Sequence, residues 1–241
     1  MKFADRMRKS SAARGSKVVL ALDFSDPYES RLARAEGLIA SVKDVVAAVK
    51  VNHHLLLPYG LRGLAGVIDT CREGGIPLIA DLKMNDIEAT NLNIVDSLFA
   101  FGFDAVIANP FVGWEEGLGK AIERVHAKEG GMLLLVYMSH RGADEGYGLK
   151  TEGGEPLYRV FARRAKDWEA DGVVVSAKSV DKISEVRGIV GKDCLIFSPG
   201  VGAQGGDLRA GAGGGSDFVI VGRSVTEASD PLEVLHQLNG A

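Results

Sequence analysis

Eight short apolar runs, rich in β-branched residues, recur along the chain at residues 17–23, 45–51, 76–82, 104–108, 132–137, 171–175, 193–197 and 217–221. Near-continuous apolar runs of this length suit strands buried on both faces, and therefore a parallel sheet. Segments with helical patterning lie between them, among them 30–41, 87–101, 114–127 and 157–170. Strand–helix alternation implies right-handed βαβ units. Eight such units in 241 residues predict a TIM (β/α)8 barrel, with an open doubly wound sheet as the competing architecture. No Pro/Ser-rich linker divides the chain, so residues 16–241 read as one domain behind a short leader, 1–15.

Composition adds limits. The chain is 46% hydrophobic and 25% charged, an ordinary globular balance. A net charge of −4 gives no electrostatic footprint for nucleic acid. No run reaches the roughly 18 apolar residues of a membrane span. The leader carries Lys2, Arg6, Arg8, Lys9 and Arg14 but lacks the apolar core of a signal peptide. It reads as a frayed basic segment that needs no function of its own. Cys71 and Cys194 adjoin apolar segments without metal-ligand spacing, which predicts buried thiols in a reducing cytoplasm.

In a barrel the chemistry sits at the C-terminal ends of the strands. Polar residues fall there in turn: Asp23, Lys50, Asp81 with Lys83, Asn109, Ser139, Ser176, Pro199-Gly200 and Gly222-Arg223. The densest stretch is Asp-Leu-Lys-Met-Asn-Asp-Ile-Glu-Ala-Thr, from Asp81 to Thr90. Alternation along a strand sends Asp81 and Lys83 to one side, and Asp86 follows at the helix start. A cation between two carboxylates stays protonated, which suits a proton donor and argues against Schiff-base chemistry. A salt-bridge cluster with no catalytic role is the plainer reading of the same residues. Lys50 interrupts an apolar run, and a buried ammonium must be paired; Asp23 and Asp81 are its candidate partners. After the seventh strand, Gly200-Val-Gly-Ala-Gln-Gly205 matches G-x-G-x-x-G. Its late position, with Gly222-Arg223 where a ribose-binding acid would stand, favours a phosphate pocket over a dinucleotide site. Arg223 can grip phosphate oxygens, and Gln204 can reach across a ligand.

Taken together, these residues resemble the orotidine 5'-monophosphate decarboxylase family, in its short archaeal-type form. The resemblance rests on Asp23, Lys50, the D-x-K-x-x-D-I-x-x-T stretch, Ser139, PGVGAQGG from Pro199 and VGRS from Val221, and covers nearly the whole chain after the leader. D-x-K-x-x-D is shared with sister decarboxylases and aldolases; its combination with Lys50 and the Gln204 loop is more specific. The leader and the glycine-rich stretch 210–216 depart from the pattern, and neither touches a matched position. The resemblance implies decarboxylation of orotidine 5'-monophosphate to UMP without cofactor or metal. By the same resemblance, Lys83 protonates C6, Asp81 faces the substrate carboxylate, and Lys50 and Asp23 hold the ribose hydroxyls. Asp86, Ile87 and Thr90 belong to the segment that reaches into the neighbouring site of a homodimer with shared active sites. Ser139 reads the pyrimidine edge. Pro199, Gly200, Val201, Gly202, Gln204 and Gly205 form the loop over base and phosphate, and Gly222 and Arg223 bind the phosphate. Two other readings use the same residues. A magnesium-dependent sugar-phosphate decarboxylase or aldolase is opposed by Lys50, which stands where a metal-ligating acid would be wanted. A non-catalytic phosphate-binding barrel leaves the Lys–Asp array without a purpose.

Overall fold

The computed structural model describes residues 1–25, 27–200 and 215–240. Its strands are β1 (Val18–Ala21), β2 (Ala48–Asn52), β3 (Leu78–Met84), β4 (Ala105–Ala108), β5 (Gly131–Tyr137), β6 (Gly172–Val175), β7 (Leu195–Pro199) and β8 (Phe218–Val221). They pair in parallel in chain order, and β8 returns to β1 to close a TIM-type barrel. The eight apolar runs all become strands. Aspartates at the head of three runs lie just outside and tie neighbouring strands together. Asp104, Asp171 and Asp217 accept the backbone N–H of Leu78, Met132 and Ile196 at 2.8, 2.9 and 2.7 Å.

The helices are α1 (Phe3–Arg14), α2 (Tyr28–Val42), α3 (His53–Gly63), α4 (Ala65–Glu73), α5 (Glu88–Phe101), α6 (Gly119–Ala127), α7 (Ala143–Tyr147), α8 (Leu157–Asp167), α9 (Val180–Val190), α10 (Arg223–Thr226) and α11 (Pro231–Asn239). The predicted helix over 114–127 begins instead with a wide π-type turn, Trp114–Leu118, in which Trp114 leans on Trp168 with ring centroids 5.5 Å apart. His53 and His54 open α3, where the Asn52 side chain caps the His54 N–H at 2.8 Å.

Alternation along the strands divides the core in two. Val19, Ala21, Ile79, Ile107, Leu135, Val174, Phe197 and Ile220 fill the barrel; Val18, Leu20, Val49, Val106, Leu134, Val173, Ile196 and Val219 pack beneath the helices. Both faces need apolar side chains, which is why the runs carry no polar alternation.

The leader is not frayed. Residues 3–14 form α1, and Phe3 and Met7 join the barrel-interior cluster with no exposed surface. The Phe3 ring occupies the space a side chain at Gly131 would need, since a Cβ there would lie 2.3 Å from it. Ser10 donates to the Ala47 carbonyl at 2.6 Å, and Arg14 donates to the carbonyls of Lys43 and Gly74 at 2.8 and 2.6 Å. The helix closes the N-terminal end of the barrel, opposite the strand ends that carry the charged residues.

Candidate active site

Above the apolar fill, the inward-facing positions turn polar. On β2 the sequence runs Ala48, Lys50, Asn52 and on β3 Ile79, Asp81, Lys83, with Asn52 and Asp81 paired across the two strands. Lys50 is 5% exposed and Asp81 7%. Lys50 Nζ donates to Asp81 Oδ2 at 2.8 Å, and Lys83 Nζ donates to Asp81 Oδ1 at 2.8 Å. Burial opposes ionisation of Asp81, but the ammoniums of Lys50 and Lys83 outweigh it and hold the carboxyl below its usual range. Lys83 reaches Asp81 through a strand irregularity between Ala80 and Met84, with its own φ at +49°. A left-handed lysine costs about 1–3 kcal/mol, strain of a kind that clusters at functional sites.

This arrangement inverts the expected charge order. One carboxylate lies between two cations, rather than one cation between two carboxylates. Asp86 is exposed at the rim, where its Oδ1 accepts the Ile87 N–H at 2.7 Å, and among the described residues it forms no ion pair with Lys83. Asp23 also stands apart from Lys50; its Oδ1 accepts from Asn52 Nδ2 at 2.6 Å. Asp23 also explains Gly222, where a Cβ would lie 2.6 Å from Asp23 Oδ2.

A cavity of about 210 Å³ opens over this charged layer. Its apolar wall is Ile107, Leu135, Val174 and Ile220, and Asp23, Lys50, Asp81, Lys83 and Asn52 line it on the side of the first three strands. Met138 and Ser139 border it after β5, Pro199 and Gly200 at the end of β7, and Gly222, Arg223 and Ser224 after β8. Lysine cations, an apolar wall and an arginine after β8 can together hold a planar, anionic ligand and place an ammonium beside it.

The family model for the Orotidine 5'-phosphate decarboxylase / HUMPS family matches residues 16–238. The chain belongs to this family. It is 36% identical to the orotidine 5'-phosphate decarboxylase of Methanosarcina acetivorans, over 93% of this chain and 94% of the relative. The orotidine 5'-monophosphate decarboxylase of Methanocaldococcus jannaschii, solved in complex with the inhibitor BMP, aligns with a TM-score of 0.78 at 28% identity, over 93% of this chain and 97% of that one. The UMP synthase of Leishmania donovani shares the fold at a TM-score of 0.87 and 24% identity; this chain is fully covered and spans 55% of that protein.

The cavity brings together Asp23, Lys50, Asp81, Lys83, Ser139, Pro199, Gly200, Gly222 and Arg223 of the residues expected for a decarboxylase of this family. Asp86, Ile87 and Thr90 do not line it; all three are exposed, on the β3–α5 connection and the first turn of α5. Val201, Gly202, Gln204 and Gly205 lie outside the described residues. Asn52 and Met138 line the cavity without having been singled out. Asn52 carried a legible signal, since it follows Lys50 by two residues in the same strand. Asn109 and Ser176, two of the strand-end polar residues, support backbone instead: Asn109 accepts the Phe111 N–H at 3.1 Å and Ser176 the Lys178 N–H at 3.2 Å.

Proposed function

We propose that this chain converts orotidine 5'-monophosphate to UMP, with Lys83 as the proton donor and no cofactor. The observation that carries the reading is Asp81 held between Lys50 and Lys83 at 2.8 Å on each side, at the edge of the cavity. Cleavage of the C6–carboxylate bond leaves the electron pair on C6. An ammonium already fixed beside that carbon stabilises the developing charge and then delivers its proton, completing UMP. Asp81 keeps Lys83 in place and presents its negative charge to the departing carboxylate. Lys50 and Asp23 bind the ribose hydroxyls, Asn52 orients Asp23, and Ser139 reads the pyrimidine edge. Pro199 and Gly200 begin the loop that covers base and phosphate, with Gln204 as its reaching side chain; Gly222 and Arg223 hold the phosphate. Binding energy at the phosphate, remote from C6, serves to assemble the charged end of the site. The magnesium-dependent alternative is disfavoured because both Asp81 oxygens already accept ammonium N–H groups.

We further read the enzyme as a homodimer with shared active sites, in which Asp86, Ile87 and Thr90 approach the partner's cavity. In support, the large exposed apolar residues Leu57, Ile87 and Phe111 follow the consecutive strands β2, β3 and β4 on the cavity side of the barrel. Residues 16–241 form the catalytic unit in this reading, with residues 1–15 closing its base. Two buried free thiols, Cys71 and Cys194, both with their pKa raised to about 12 chiefly by burial, suit a reducing cytoplasm. Among the described residues no helix is long and apolar enough to cross a membrane.

The test is decarboxylation of orotidine 5'-monophosphate by the purified chain, before and after exhaustive EDTA treatment. Equal turnover in both supports the proposal. Absence of turnover, or loss on chelation with rescue by magnesium, overturns it.

A further inference from the structure

The segment after β5 brings Met138 and Ser139 to the cavity wall, and it is fastened by a group of aromatic rings outside the charged layer. Tyr137, the last residue of β5, is 5% exposed. Its ring meets Tyr147 of α7 at 6.0 Å and Tyr158 of α8 at 5.9 Å, both edge-on. Lys182 of α9 stands over these rings, with Nζ 4.6 Å from the Tyr137 centroid and 5.5 Å from that of Tyr158. The same Nζ lies 3.6 Å from Asp144 Oδ1 on α7. Burial, followed by the Asp144 carboxylate, pushes the Tyr137 hydroxyl up to about 12, so it stays a neutral donor beside Asp144. The Tyr158 hydroxyl donates to Glu185 Oε2, again on α9, at 2.7 Å. Next to this group, Lys178 Nζ donates to the Ser139 carbonyl at 3.4 Å.

The ring pairs tie β5 to α7 and α8, and the contacts of Lys182, Glu185 and Lys178 join that group to the segment after β6. Lys182, on the β6 side, meets three residues of the β5 side at once: two ring faces and the α7 carboxylate. Its side chain retains 25% of its exposure, so much of it is packed away, and the ring faces and Asp144 are the partners its ammonium meets. An apolar chain of the same length would fill the space but leave Asp144 without its cation and the ring faces without theirs.

We infer that Lys182 is a positioning residue: it clasps α7 to α9 and thereby holds the Met138–Ser139 edge at the height where the base of a nucleotide is read. The inference rests on the proposed role of Ser139 at the pyrimidine edge. It predicts a defect confined to the base, because the phosphate and ribose are held by residues of other strands.

The experiment compares UMP with ribose 5-phosphate, a ligand that lacks the base, by calorimetric titration of the wild type, Lys182→Met and Lys182→Arg. For Lys182→Met the UMP dissociation constant should rise about tenfold while that of ribose 5-phosphate stays within about twofold. Lys182→Arg should restore UMP binding, since a guanidinium also stacks on rings and pairs with a carboxylate. A merely structural lesion would weaken both ligands alike, and that result overturns the clasp, as does unchanged UMP binding. Should Lys182→Met fail to fold, Asp144→Asn breaks the exposed half of the clasp and is read by the same ratio. If the wild type itself binds no UMP, the decarboxylase reading fails. The clasp is then decided by amide exchange across residues 143–147, faster in Lys182→Met if the clasp exists and unchanged if it does not.

Discussion

Replacing Asp81 by asparagine removes the single negative charge that Lys50 and Lys83 share. At 2.8 Å the gross attraction of each pair is about 6 kcal/mol at an effective dielectric near 20, most of it offset by desolvation. The two lysines differ in what remains. The Lys50 side chain is 6% exposed and has no other counter-charge among the described residues, whereas that of Lys83 is 35% exposed and can turn towards water. Removing one partner of a buried pair costs about 3–5 kcal/mol, and nearly all of it here should come from stranding Lys50. Asp81→Asn should therefore lower unfolding stability by roughly 3 kcal/mol at pH 7, read from urea titrations with both midpoint and slope fitted. The pH dependence has a definite sign. The folded-state pKa of Asp81 is depressed, so its stabilisation is fully present above the unfolded carboxyl value of about 4 and is lost as pH falls through the folded value. The gap between wild type and variant should be flat from about pH 8 to 5 and shrink below about 4. Turnover should fall along with stability, because Lys83 loses its anchor. A folded variant within about 1 kcal/mol of wild type across this range would refute the claim that Asp81 carries the charge of the buried lysine.

Three further outcomes follow from the same geometry. Arg223→Ala should raise KM for orotidine 5'-monophosphate about 100-fold yet barely change turnover of the unphosphorylated nucleoside, because only the former gives the arginine something to hold; equal losses would place Arg223 elsewhere in the reaction. Lys83→Ala and Asp86→Ala, each nearly inactive, should regain towards a quarter of wild-type activity when unfolded, mixed and refolded together, since about half the dimers are then mixed and each carries one intact site; no recovery despite demonstrated mixed dimers would refute shared sites. Phe3→Ala should cost about 3 kcal/mol of stability with KM unchanged, measured by urea unfolding and steady-state kinetics, because it empties the base of the barrel away from the cavity.

Much of this molecule is legible in its sequence, for reasons that particular residues make plain. The strands are visible because a barrel buries both faces, so 132–137 or 217–221 cannot be mistaken for surface segments. Asp81 and Lys83 declare themselves as neighbours by a two-residue spacing, and Lys50 does so by the cost of an unpaired ammonium. What is not legible depends on distances that spacing does not set. Asp86 is three residues from Lys83, but the chain leaves the strand between them and carries its carboxylate to the rim. Which of Asp23 and Asp81 pairs with Lys50 is decided by strand register: Asn52 beside Asp23 takes up that carboxylate and leaves Asp81 to the lysines. The leader was obscured by composition, because only Phe3 and Met7 among its residues enter the core, and one turn's separation on a basic helix is a faint signal. The Lys182 clasp joins residues of three helices and one strand, a juxtaposition that exists only after folding.

The central claim is that the Lys83 ammonium stabilises and protonates C6. The most direct test is single-turnover decarboxylation of orotidine 5'-monophosphate by Lys83→Ala, with UMP affinity and circular dichroism measured on the same sample. The account predicts a rate lower by at least about 10⁴-fold, with a native spectrum and UMP still bound, since an interaction made mainly in the transition state is gone. A folded, UMP-binding Lys83→Ala that decarboxylates at near wild-type rate would contradict it.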